Sequence, residues 1–150
     1  MDTDLAAQYG GRDRDADSRV QVLPAALEPV LGELPTLVIA EGLLMYFTPE
    51  RVNTLLREVT GLRVPRVRVV LTAMDTAEGE PISFRPRSRL ADQWLARRAE
   101  PMKSSIPAGR EREILGAAGL RHIRTITARE LRGPDRPGLD GENILVSERP

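Results

Sequence analysis

Pro35-Thr-Leu-Val-Ile-Ala-Glu-Gly-Leu-Leu-Met-Tyr-Phe47 is the segment from which the architecture follows. Leu37, Val38, Ile39 and Ala40 form an unbroken apolar run, β-branched at its centre, which Pro35 opens and Glu41-Gly42 closes. Such a run predicts a strand buried on both faces, the signature of a central strand in an α/β sheet. A carboxylate where the run ends lies at the strand's C-terminal edge, where open α/β sheets bind ligands. Glu41 is therefore the first candidate site residue.

Downstream, Thr48 suits an N-cap, Pro49 the first helical position and Glu50 the positive helix end. Val52, Leu55, Leu56 and Val59 then recur at i, i+3, i+4 and i+7, one apolar stripe that Gly61 stops. Pro65 opens a second strand carrying Val67, Val69, Val70, Leu71 and Ala73 and ending at Met74-Asp75. Strand, capped helix and strand in this order make a βαβ unit with parallel neighbouring strands.

Residues 76–86 read as an exposed Gly/Pro/Glu loop, and Ser88 caps a predicted helix to about Arg98 with Leu90, Trp94 and Leu95 on one side. Residues 101–107 are irregular, 109–118 helical up to Gly119. Leu120 to Leu131 reads as one long strand, 133–141 as a loop, and Asn143 to Glu148 as the last strand, antiparallel to the one before. Upstream, Arg19 to Leu23 alternates as a short strand, Pro24 ends it, and Leu27 to Leu34 suggests a helical turn or two before Pro35. Residues 1–18, rich in Asp, Arg and Gly, have little to bury and are expected to be a flexible segment ahead of a single domain over 19–150.

Composition removes several functions. Lys plus Arg and Asp plus Glu stand at 22 each, which argues against a nucleic-acid or anionic-membrane surface as the main business. Cysteine is absent, so thiolate nucleophiles, thiolate zinc sites and disulfides are excluded. Asp13, Asp15 and Asp17 start a calcium-loop pattern that fails where Ser18 replaces the turn glycine and Pro24 the bidentate glutamate. His122, the only histidine, reads as an exposed strand residue with no G-x-S-x-G to give it a nucleophile. No signal-peptide pattern or membrane-length apolar run is present, so the expected setting is the cytoplasm and the expected partner a small molecule or a protein.

Leu37-Val-Ile-Ala-Glu-Gly-Leu-Leu-Met-Tyr46, followed by Thr48-Pro49-Glu50 and a helix, resembles the fourth strand and following loop of the leucine carboxyl methyltransferase family, which includes O-methyltransferases of polyketide tailoring. The resemblance implies a Rossmann-like class I methyltransferase fold, here truncated to its C-terminal part, with a mostly parallel sheet and a C-terminal antiparallel hairpin. It implies S-adenosyl-L-methionine as cofactor and methylation of a small-molecule hydroxyl or carboxylate. By position it gives Glu41 the donor's ammonium group and places Ala26 and Leu27 on a loop passing its adenine. Tyr46 and Trp94 are expected to line the acceptor pocket.

The family's glycine-rich loop after its first strand has no counterpart: no G-x-G occurs, and Gly10-Gly11 runs into Arg-Asp-Arg-Asp. The chain is expected to begin at or just before the third strand. A second reading is a non-catalytic α/β remnant that binds a protein or itself. Without the first strand, the edge of Thr36 to Ala40 is expected either to pair with Arg19 to Leu23 or to drive self-association.

Overall fold

The computed structural model describes residues 23–77, 79–85, 101–133 and 140–150. A helix α1 (Leu23–Leu31) precedes strand β1 (Thr36–Ala40), a single 3-10 turn (Leu44–Tyr46), helix α2 (Pro49–Thr60) and strand β2 (Val67–Met74). Helix α3 (Glu111–Ala117), strand β3 (Arg121–Thr127), a short helix α4 (Ala128–Arg132) and strand β4 (Glu142–Glu148) follow.

The strands form one sheet in the order β1-β2-β4-β3. β1 and β2 are parallel with Val38 opposite Val69, while β4 runs antiparallel to both its neighbours, with Leu145 opposite Leu71 on one side and Thr125 on the other. Three strands thus point one way and β4 the other, the α/β sheet with an antiparallel end that the sequence predicts.

One face of this sheet carries the core. Val67, Val69, Leu71 and Ala73 of β2 and Leu145 of β4 meet Val52, Leu55, Leu56 and Val59 of α2, and Leu115 of α3 joins the same cluster. Burying each valine or leucine of this set contributes about 1.5–3 kcal/mol, so the α2 stripe is a main source of stability. Thr48 caps α2 as expected, its hydroxyl accepting the Arg51 N–H at 3.4 Å with Pro49 in the first turn. Downstream of α2, the Arg149 guanidinium donates to the carbonyls of Thr60, Leu62 and Val64 and so closes the turn into β2.

Four expectations are corrected. β1 is not buried on both faces: Leu37 is 56% and Ile39 66% exposed, because every described helix packed on the core lies on the opposite face. Pro24 does not end a strand, and residues 24–27 are not a loop. They belong to α1, since Pro is tolerated in a first helical turn and Ala25, Ala26 and Leu27 are strong helix formers. The predicted strand to Leu131 stops at Thr127, whose hydroxyl accepts the Glu130 N–H while the Glu130 carboxylate accepts the Thr127 N–H. That reciprocal cap starts α4. His122 is half-buried rather than exposed, its Nε2 3.0 Å from the Thr125 hydroxyl, which in turn donates to Glu111 at 3.3 Å. The expected strand at Arg19 to Val22, the flexible segment 1–18 and the Ser88 helix lie outside the described residues.

Candidate functional site at the C-terminal edge of the sheet

The C-terminal ends of β1 and β2 are bound together by short polar contacts. Gly42 turns the chain out of β1 with φ 61°, a conformation glycine adopts without strain. Its N–H donates to the Thr72 hydroxyl on β2 at 2.8 Å. Leu44 and Met45 then dive into the core. The irregular segment 103–108 runs across both strand ends: Lys103 N–H donates to the Met45 carbonyl (2.6 Å), the buried Ser104 hydroxyl to the Leu44 carbonyl (2.8 Å) and Ile106 N–H to the Met74 carbonyl (2.8 Å).

Asp75 anchors this segment and the start of β4 together. Its Oδ1 accepts the Ala108 N–H at 2.9 Å, its Oδ2 faces Arg85 Nη2 at 3.3 Å, and its own N–H donates to the Gly141 carbonyl at 2.6 Å. The edge is therefore a fixed platform, because each exit loop is held by at least one other. A cavity of about 120 Å³ opens beneath it, lined by Leu44, Met45, Val52, Ala73, Ser104 and Ile106 among others. Ligand sites usually run from about 300 Å³ upward, so this space holds a small apolar group and not a whole nucleoside cofactor.

Glu41 stands where β1 ends, exposed, and no described residue takes up its carboxylate. Tyr46 closes the 3-10 turn on the same exit loop, half-buried, and Met45 rather than Tyr46 reaches the cavity. Leu27 packs from α1 against the core, and Ala26 sits in the same helix. Trp94 lies outside the described residues. Sequence reasoning passed over Thr72, Asp75 and Ser104, whose roles come from long-range partners, although a polar pair at the end of an apolar strand is the one local sign for Asp75. Nearby, Glu50 is held below the usual carboxylate range by its own N–H and by the Thr48 hydroxyl, which keeps a negative charge at the α2 start. No group of three or more His, Asp or Glu able to hold a metal ion occurs among the described residues, and none of their helices is long and apolar enough to cross a membrane.

The sheet has a Rossmann-like α/β fold, and the solved structures it resembles include methyltransferases. The 1,6-didemethyltoxoflavin-N1-methyltransferase of Burkholderia thailandensis, solved with bound 1,6-didemethyltoxoflavin and S-adenosylhomocysteine, matches 93% of this chain and 67% of its own with a TM-score of 0.50 at 15% identity. TnmH matches 80% of this chain and 33% of its own (TM-score 0.49, 21% identity). CalO1, a methyltransferase in calicheamicin biosynthesis solved with S-adenosylhomocysteine, matches 78% and 31% (TM-score 0.44, 18% identity). The chain thus spans about a third of TnmH and CalO1 and two-thirds of the Burkholderia enzyme. No family model matches the sequence, and no curated protein matches it significantly.

Proposed function

We propose that this chain is the C-terminal portion of an S-adenosylmethionine-dependent O-methyltransferase of the leucine carboxyl methyltransferase kind, acting on a hydroxyl or carboxylate of a small molecule. The observation that carries this reading is the position of Glu41: an exposed carboxylate, with no partner among the described residues, at the C-terminal end of a parallel strand, beside a glycine turn, in a sheet of Rossmann-like fold. The Burkholderia enzyme and CalO1 bind S-adenosylhomocysteine, which supports the same cofactor family here.

The residues present fit one end of such a donor. Glu41 offers an ammonium group an exposed anion at the strand end, and the Gly42 turn lets a ligand approach the backbone closely. When bound, S-adenosylmethionine would supply a sulfonium methyl group for in-line transfer to the acceptor oxygen, leaving the thioether S-adenosylhomocysteine, with the proton of a hydroxyl acceptor passing to solvent. What the chain supplies is position. The hydrogen bond from Gly42 to Thr72 and those from the 103–106 segment fix the exit loop, and alignment of reactants lowers such a barrier by several kcal/mol. Tyr46, on that loop, lines the acceptor side in this reading.

Calorimetric titration of S-adenosylmethionine into the chain and its Glu41→Gln variant tests it. At least tenfold weaker binding by the variant is expected; equal, measurable affinities would remove Glu41 from the site, and no heat with either would show that this chain alone does not hold the donor.

A further inference from the structure

Neither Glu41 nor Tyr46 lines the cavity of about 120 Å³ beneath the exit loop, so it is a compartment apart from the edge at which Glu41 stands. It lies on the helix-bearing face of the sheet, between that loop, the first turns of α2, the end of β2 and the segment 104–106. Well-packed interiors keep few voids larger than a water, and admitting one water takes only ~10–15 Å³. This void is far larger.

Its walls decide what it holds. Leu44, Met45, Val52, Ala73 and Ile106 are all buried and apolar. The hydroxyls beside them are engaged elsewhere: Ser104 donates to the Leu44 carbonyl and Ser105 to the Thr76 carbonyl at 3.2 Å. The start of α2 offers an anion nothing either. Pro49 has no N–H, that of Glu50 goes to its own carboxylate, and those of Arg51 and Val52 go to the hydroxyl and carbonyl of Thr48. Among the described residues no charged side chain lines the space. An ion entering it would lose its hydration without replacement, and a lone water would find too few partners. One neutral polar group remains. Asn53 is exposed while lining the cavity, which puts it at the mouth, and its amide has no partner among the described residues.

We infer that this cavity is a binding site for a small uncharged apolar molecule, no larger than a single benzene-like ring, whose one neutral hydrogen-bonding group, where it has one, turns toward Asn53. A cavity of about 150 Å³ walled by Leu, Ile and Phe stays dry and takes up benzene. This one is somewhat smaller, and Met45, with its unbranched side chain, gives the adjustment. The occupant touches the exit loop, α2, β2 and the 104–106 segment at once. Because only the closed junction forms the cavity, binding there favours closure over opening. The inference concerns the cavity alone and does not depend on methyl transfer.

Benzene, phenol and benzoate, titrated separately into the chain and followed by NMR, test it. Benzene and phenol are expected to shift the signals of Met45, Ala73 and Ile106 saturably. With either at about ten times its dissociation constant, amide exchange at Lys103 and Ile106 should slow about tenfold. Benzoate, the same ring with a charge, should bind at least about tenfold more weakly. Asn53→Leu should still bind benzene but hold phenol about threefold less tightly. Ala73→Leu, which fills the space, should abolish binding of both; the exposed Asn53 position supplies a variant that folds even where the buried one does not. Three results would overturn the inference: no saturable shifts with benzene and phenol, benzoate bound as tightly as phenol, or undiminished binding by a folded Ala73→Leu protein.

Discussion

Replacing Ser104 by Ala removes one oxygen from the junction that holds the exit loop of β1. The hydroxyl is 7% exposed as part of its residue and donates to the Leu44 carbonyl at 2.8 Å. A neutral hydrogen bond of this kind contributes a net ~0.5–1.5 kcal/mol, and an orphaned buried acceptor costs up to ~3. The upper figure does not apply, because the Leu44 carbonyl keeps the Phe47 N–H at 3.1 Å. The expected loss is therefore about 1 kcal/mol, or roughly 2–4 °C in melting temperature for a chain of this size. Urea unfolding should show a lower midpoint at unchanged slope. If the loss is confined to the junction, amide exchange at Lys103 and Ser104, whose N–H groups donate to the Met45 carbonyl, should quicken about fivefold. Unchanged stability and exchange would mean that the hydroxyl is free to find water and that the segment is held by its backbone alone. A loss above about 3 kcal/mol would mean that the whole segment detaches.

Arg149→Met should cost more: charge-assisted bonds to three carbonyls are lost together, and since such bonds contribute ~1.5–3 kcal/mol each but do not add, about 3 kcal/mol is expected in urea unfolding. The Glu148 carboxyl is held below its ordinary value of 4.5 by the hydrogen bond from Arg121, then by the charge of Arg121 and the contact with Arg68. A depressed folded value means that the stabilisation is fully present above the unfolded pKa and is lost as pH falls through the folded one. Wild type should therefore exceed Glu148→Gln in urea midpoint at neutral pH, and the two should converge as pH drops below 4.5. A gap that is constant across that range would sink the ion-pair account.

What was legible in the sequence was local. The β1 run, the Thr48-Pro49 start of α2 with its four-residue stripe, β2 and β4 each carry their own pattern, and each is where the pattern puts it. Gly119 ends the α3 turn with φ 82°, as its position after an amphipathic run implies. The errors arose where a short pattern had two solutions. Leu23 to Leu27 offers a proline that either breaks a strand or opens a helix, and the Ala-Ala-Leu that follows favours the helix. Thr127 continues the β-branched run of β3 and also begins Thr-Ala-Arg-Glu130, and the cap prevailed over the run. The bare face of β1 has no local signature at all, because an apolar run looks the same whether or not the chain supplies its second cover. The 103–108 segment, with no periodicity, gave no sign that it would bridge the ends of two strands.

The strand order also sets a schedule. β4 is synthesised after β3 yet lies between β2 and β3, so a ribosome-bound chain that has emitted residues through Thr127 possesses two strands that share no hydrogen bond. Until Glu142 to Glu148 follow, β2 and β3 each offer an unsatisfied ladder to whatever neighbours a nascent chain meets. Their union then requires β4 to enter a gap rather than add to a rim, with Arg68 meeting Glu148 across 80 positions of sequence. Pairings of such separation form slowly and leave intermediates open to misassociation. Translation speed over the last stretch, and chaperone occupancy during it, are thus expected to govern how much of this protein reaches its native state.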